Sequence, residues 1–150
     1  MKLAQALLLR ADVQKKIASL RERIARNVMV QDGDTPHEDP AALLLEAGAT
    51  LEELQKLVVA INTANLSHTL PDGRSLTEAM AARDALVQRH ALYQSAIDAT
   101  QREPDRYSAR EIKWTTAIDI ASIQKQSEDL ARQIRELNGL IQETNWKVDL

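Results

Sequence analysis

Polar side chains able to do chemistry gather at two matching places in this 150-residue sequence. One run closes with Asn62, Asn65 and His68, the other with Gln142, Asn145 and Trp146. Both runs follow apolar residues spaced alternately by three and four, so the amides fall where a hydrophobic side chain is expected. Amides donate and accept together, and imidazole adds an acid–base group near neutral pH. A convergent set of this kind could bind a small polar ligand or relay a proton. Arg83 and His90 interrupt a third apolar series in the same way. Two plainer readings stand beside the pocket. The amides can cap helix ends and face water. They can also form a polar layer that sets register or subunit number, since a buried amide left unsatisfied costs roughly 1–3 kcal/mol.

Other chemistries find less support. His37 lies among Asp34, Glu38 and Asp39, a loop that could hold a divalent cation but is more often simply solvated. Neither His68 nor His90 has a helical His or carboxylate three or four residues away. The Glu-x-x-His of di-iron bundles and the His-Glu-x-x-His zinc motif are both missing. No metal or cofactor is therefore expected. There is no cysteine, hence no disulfide, thiolate ligand or thiol nucleophile. No glycine-rich phosphate loop and no Gly-x-Ser-x-Gly elbow occur. Catalysis by scattered carboxylates stays open, because spacing does not show which of them converge.

The elements that would position these residues are long. The clearest series is Ile120, Ile123, Ser127, Leu130, Ile134, Leu137 and Ile141, a narrow stripe facing a partner helix. Similar series run through Leu3, Ala6, Arg10, Val13, Ile17, Leu20, Ile24 and Asn27, and through Leu76, Ala79, Arg83, Leu86, His90, Tyr93 and Ile97. In the second segment the stripe reads Leu44, Ala47, Leu51, Leu54, Val58, Ile61 and Asn65. Helices are expected over about 2–30, 40–68, 76–101 and 120–146. Asp39-Pro40, Ser75 with Glu78, and Asp119 supply helix starts. Thr50 with Glu53 is a further capping pair, yet the stripe keeps phase through Gly48, which favours one continuous helix. Pro71-Asp72-Gly73 is a turn that a very short hairpin could flank.

Residues 110–117, rich in β-branched types around Trp114, read as a short extended or β segment before the last helix. A lone strand needs a pairing partner. Tyr107, Lys113 and Trp114, with Trp146, are accordingly the candidate assembly contacts. The fold expected is a single, mainly all-α domain: an antiparallel four-long-helix bundle with coiled-coil-like packing and that one extended segment. Leu54, Leu57, Ile61 and Asn65 also align with Ile134, Leu137, Ile141 and Asn145 at a fixed offset. In an up-down-up-down arrangement the second and fourth helices would end at one pole, near Met1 and Leu76.

Composition agrees. Phe is absent, and four Gly and four Pro leave few places to turn. No run approaches the ~18 apolar residues of a membrane span, and the N-terminal apolar run stops at Arg10 without a cleavage site. A cytoplasmic protein with no membrane span is expected. Residues 1–30 carry seven basic side chains against two acidic ones, and residues 31–61 carry seven acidic against one basic. Attraction between neighbouring helices or subunits accounts for this. The alternative, binding of nucleic acid or an anionic membrane by the basic segment, is disfavoured because its apolar face is needed for packing and no aromatics interleave the cations.

Several blocks in order resemble a family of small bacterial proteins labelled septicolysin. They are Leu7-Leu8-Leu9-Arg10-Ala11-Asp12, Glu38-Asp39-Pro40, Ile61-Asn62-Thr63-Ala64-Asn65, Leu76-Thr77-Glu78-Ala79, Asp105-Arg106-Tyr107-Ser108 with Glu111-Ile112-Lys113, and Ile141-Gln142-Glu143-Thr144-Asn145-Trp146. The departure is Gly48-Ala49-Thr50, where similar sequences read as uninterrupted helix. The resemblance implies a helical, self-associating protein and supplies no catalytic residue. The label implies a pore-forming toxin, but this sequence shows neither a signal peptide, nor a membrane-inserting hairpin, nor the size of one. The leading expectation is a homo-oligomer with an assembly or scaffold role rather than an enzyme. The alternatives are an enzyme, acting on a small molecule or through a metal, with its pocket at the shared pole of helices two and four, and a nucleic-acid or membrane binder acting through helix one.

Overall fold

In a computed structural model, residues 1–101 and 113–150 are described. Four helices carry the chain: α1 (Leu3–Asn27), α2 (Pro40–Ser67), α3 (Leu76–Ala99) and α4 (Ile120–Lys147). The expected β segment is not found. Residues 113–116 have no regular structure and 117–118 bend, while 110–112 lie outside the described residues. No strand is present among the described residues. β-branched composition favours extended backbone but supplies no pairing partner, and a strand exists only through its ladder.

The chain divides into two compact units, one of residues 1–69 with 142–150 and the other of residues 70–141. In the first, α1 and α2 run antiparallel. Lys16 Nζ meets Glu46 Oε1 at 2.9 Å, and Arg23 forms an ion pair with Glu38. The charge asymmetry of the sequence thus works within this unit. The α1 stripe faces inward as its spacing predicts, with Leu3, Ala6, Val13, Leu20 and Asn27 buried.

In α2 the inward residues are Leu43, Thr50, Leu57, Ile61 and Ala64. The expected stripe is therefore rotated in its first half, and Leu44 and Leu51 are exposed. α2 is apolar around most of its circumference, so periodicity alone gave it little contrast. The helix runs unbroken through Gly48. Thr50 does not start a new helix; its hydroxyl donates back to the Glu46 carbonyl at 2.8 Å.

The chain ends are tied to each other in the same unit. The Leu3 N–H donates to Val148 O and the Leu150 N–H to Met1 O, both at 2.9 Å, around an antiparallel bridge between Lys2 and Asp149. Lys2 Nζ reaches Asp149 Oδ2 at 2.8 Å and donates to Lys147 O at 3.1 Å.

In the second unit the turn at Pro71 closes with the Leu70 N–H on Arg74 O at 2.8 Å. Gly73 sits there at a φ of 88°, a left-handed conformation that glycine adopts without strain. Ser75 and Glu78 form a full capping box at the start of α3. The Ser75 N–H donates to Glu78 Oε2 at 2.7 Å, and the Glu78 N–H donates to Ser75 Oγ at 3.2 Å. Ser75→Ala is expected to destabilise the fold by about 1 kcal/mol, read from the urea midpoint, as for other N-cap losses. The stripe on α3 faces inward but only Leu76 and Ala79 are fully buried. On α4, Ser127, Leu130, Leu137 and Ile141 are buried, matching the expected series. Asp119 caps α4 through its carboxylate, which accepts from the Ser122 N–H at 3.3 Å.

Candidate functional site

The five residues expected to meet at one pole all belong to the first unit, in very different environments. Asn62 and Gln142 are exposed, Asn65 and His68 half-buried, and Asn145 buried. His68 serves the end of α2. Its backbone N–H donates to Ala64 O at 3.0 Å, and its Nδ1 lies 3.1 Å from the same carbonyl and 3.2 Å from Ser67 Oγ. The Ser67 hydroxyl already donates to Thr63 O at 2.8 Å. The network therefore assigns the ring proton to Nδ1, which donates to Ala64 O, and the imidazole caps the helix.

Arg83 and His90 belong to the second unit, both half-buried. The Arg83 guanidinium is held on its neighbour Asp84, with Nη2 2.8 Å from Oδ1. The polar group engaged within the core of this unit is Ser127, whose Oγ accepts from Gln94 Nε2 at 2.6 Å. Beside it α3 and α4 enclose a cleft of about 210 Å³ lined by Arg89, Tyr93, Gln126, Asp129, Leu130 and Gln133. That is below the ≈300–1,000 Å³ usual for small-molecule sites. Of these residues only Tyr93 and Leu130 stood in the sequence stripes. The others lie beside the stripe, and helical spacing gives no sign of a gap between helices.

Among the assembly candidates, Trp114 is 81% and Trp146 52% exposed, and Lys113 is exposed. Tyr107 lies outside the described residues. Among the described residues no group of three or more His, Asp or Glu side chains is placed to hold a metal ion. Among the described residues no helix is long and apolar enough to cross a membrane.

The most fully connected polar cluster was not foreseen as a cluster. Asn27, buried at the end of α1, donates through Nδ2 to Arg23 O at 2.8 Å and accepts the Glu38 N–H on Oδ1 at 3.0 Å. The Glu38 carboxylate in turn takes Arg23 Nε on both oxygens, at 2.9 and 3.1 Å. The Arg23 guanidinium holds the Glu38 carboxyl below its ordinary range. The cluster fastens the entry to α2. Asn27 at a seam position and the opposite charges of the two segments were the available signals.

A further unassigned feature is an apolar row on α2, beside an open depression of about 570 Å³ lined by Glu52, Gln55, Lys56, Val59 and Ala60. On α2, Leu44, Leu51, Val59 and Leu66 are 57, 51, 59 and 68% exposed. They lie on the face turned away from Leu43, Leu57 and Ile61, in a row interrupted by Gly48, Gln55 and Asn62.

Residues 10–150 match the model of a family described as a family of unknown function, DUF6847. A crystal structure of a functionally unknown conserved protein from Corynebacterium diphtheriae has the same fold. Its TM-score is 0.90 at 33% identity, covering 100% of this chain and 98% of that one. No curated protein matches.

Proposed function

The chain belongs to the DUF6847 family, to which no activity is attached, and we propose on its own geometry that it is a homo-oligomeric helical protein with an assembly or scaffold role. The observation that carries this reading is the surface. On α2 alone, Leu44, Leu45, Leu51, Val59 and Leu66 are large apolar side chains more than half exposed. Large apolar side chains such as Met29, Leu45, Leu66 and Trp114 stand exposed. Monomeric proteins scatter such residues singly, and rows of them mark interaction surfaces.

The polar groups favour the same reading over catalysis. Asn27 and Glu38 satisfy each other, His68 caps its own helix, and Ser127 is taken by Gln94. Three of the seven basic residues in segment 1–30 are engaged, Lys16 and Arg23 with residues of the second segment and Lys2 with Asp149, which lowers the charge left for nucleic acid or anionic membranes. The resemblance to septicolysin-labelled proteins is taken as kinship among self-associating helical proteins, with a cytoplasmic setting. Light scattering on the purified chain at micromolar concentration is expected to give a multiple of 16.7 kDa. A monomer mass would overturn the proposal.

A further inference from the structure

The exposed row on α2 reads the same from both ends. Gln55 is its centre. Four residues either side stand Leu51 and Val59, seven either side Gly48 and Asn62, and eleven either side Leu44 and Leu66. At about 100° per residue all seven fall within roughly 40° of the Gln55 direction, so they form one straight row about 33 Å long. The period is close to that of an uncoiled helix, which suits two straight helices.

A row that is symmetric about one residue has a natural occupant, the same row running the other way. We infer that α2 is the seam of a two-fold dimer, packed antiparallel on α2 of a second copy and crossing at Gln55. This names the partner and surface of the self-association proposed above and rests on that reading. In such a pair Leu44 meets Leu66 of the second copy and Leu51 meets Val59 of the second copy, each contact occurring twice. Asn62 of the second copy faces Gly48, where nothing within 4 Å would meet even a Cβ. The two Gln55 amides meet on the axis, where a polar pair fixes register. An isologous interface needs this self-complementarity.

Charge gives an independent reason to choose a second copy. Glu52 and Lys56 stand on one flank of the row, and neither forms an ion pair with a described residue of its own chain. In the antiparallel pair Lys56 of each copy lies beside Glu52 of the other, separated along the axis by about 3 Å of rise. Two symmetric ion pairs result. The fold itself does not require an apolar face here. α4 has the same 28-residue length as α2 and begins after an equivalent aspartate cap. At the places of the four apolar row residues it carries Gln124, Ala131, Gly139 and Trp146, of which only Trp146 is a large apolar side chain.

The chain has no cysteine, which makes a direct test available on the whole protein. Helices packed 8–10 Å apart bring facing Cα atoms to about 5 Å, within disulfide range. Gln55→Cys is expected to cross-link to a dimer under mild oxidation. Gln14→Cys, exposed on α1, is not. Glu52→Lys and Lys56→Glu should each weaken the dimer roughly tenfold by placing like charges together, and the double exchange should restore it. These positions are exposed, and circular dichroism checks that each variant folds. If the chain dimerises but Gln55→Cys cross-links no faster than Gln14→Cys and the charge reversals change nothing, the seam is wrong while self-association stands. A monomer at every concentration removes both.

Discussion

Leu20→Ala is expected to lower the stability of the fold by about 2–5 kcal/mol, the range for truncating a buried leucine whose surroundings relax only in part. Leu20 is fully buried on α1. It lies between the residues that tie α1 to α2, Lys16 on one side and Arg23 on the other. Those two ion pairs hold the helices at a set spacing, so the space left by the missing methyl groups is not readily closed. With a total stability of about 5–15 kcal/mol for a typical domain, the loss removes a large share. Urea denaturation should show a lower midpoint with an unchanged slope. Leu92→Ala provides the contrast. Leu92 is exposed on α3, and a change of no more than about 0.5 kcal/mol is expected there. Equal losses at the two positions would mean that Leu92 is covered in solution and that burial in the isolated chain is the wrong guide.

Much of the helical frame was legible because it rests on short-range rules. The start of α2 at Asp39-Pro40 and the capping box at Ser75 and Glu78 use contacts only two or three residues apart. The stripe of α1 was equally readable, since from Arg10 onward its polar residues leave one apolar face. α2 failed for the opposite reason. Leu43, Leu44 and Leu45 stand side by side, and nothing local says which of them turns inward. A signal was nevertheless available. The offset that aligns Ile61 with Ile141 carries the unambiguous α4 series back onto Leu43, Ala47, Thr50, Leu54, Leu57 and Ile61. All of these are buried or half-buried in the structure.

The extended segment before α4 failed because a strand is a non-local object. Residue type at Thr115, Thr116 and Ile118 sets a preference, and the absence of a ladder decides against it. The polar positions show the same limit. His68 and Asn145 both stand at the ends of apolar series, yet one caps a helix and the other is buried. Sequence spacing fixes the face of a helix, not what stands opposite.

That limit is sharpest at Asn27, one of whose partners, Glu38, lies across a loop. Asn27→Ala strands the Glu38 N–H at a part-buried site and removes the second donor of the Arg23 carbonyl, and about 1–3 kcal/mol of stability should be lost. Asn27→Asp is the informative companion. It keeps an acceptor for the Glu38 N–H but gives up the donor to Arg23 O and sets a second carboxylate beside Glu38, so it should also be destabilised at neutral pH and recover on acidification. The native cluster has the opposite pH response. Its Glu38 carboxyl is held below the ordinary value, chiefly by the hydrogen bond from Arg23 and secondarily by the guanidinium charge. A group lowered in this way stabilises the fold above its unfolded pKa, and that contribution fades as pH falls through its folded value. Glu38→Gln should therefore be less stable than the native chain at neutral pH, and the two should converge in acid. Thermal melts between pH 7 and pH 3 would follow the gap. A gap that stays constant across that range would show that Arg23 and Glu38 are apart in solution, and that Asn27 alone closes the loop onto α2.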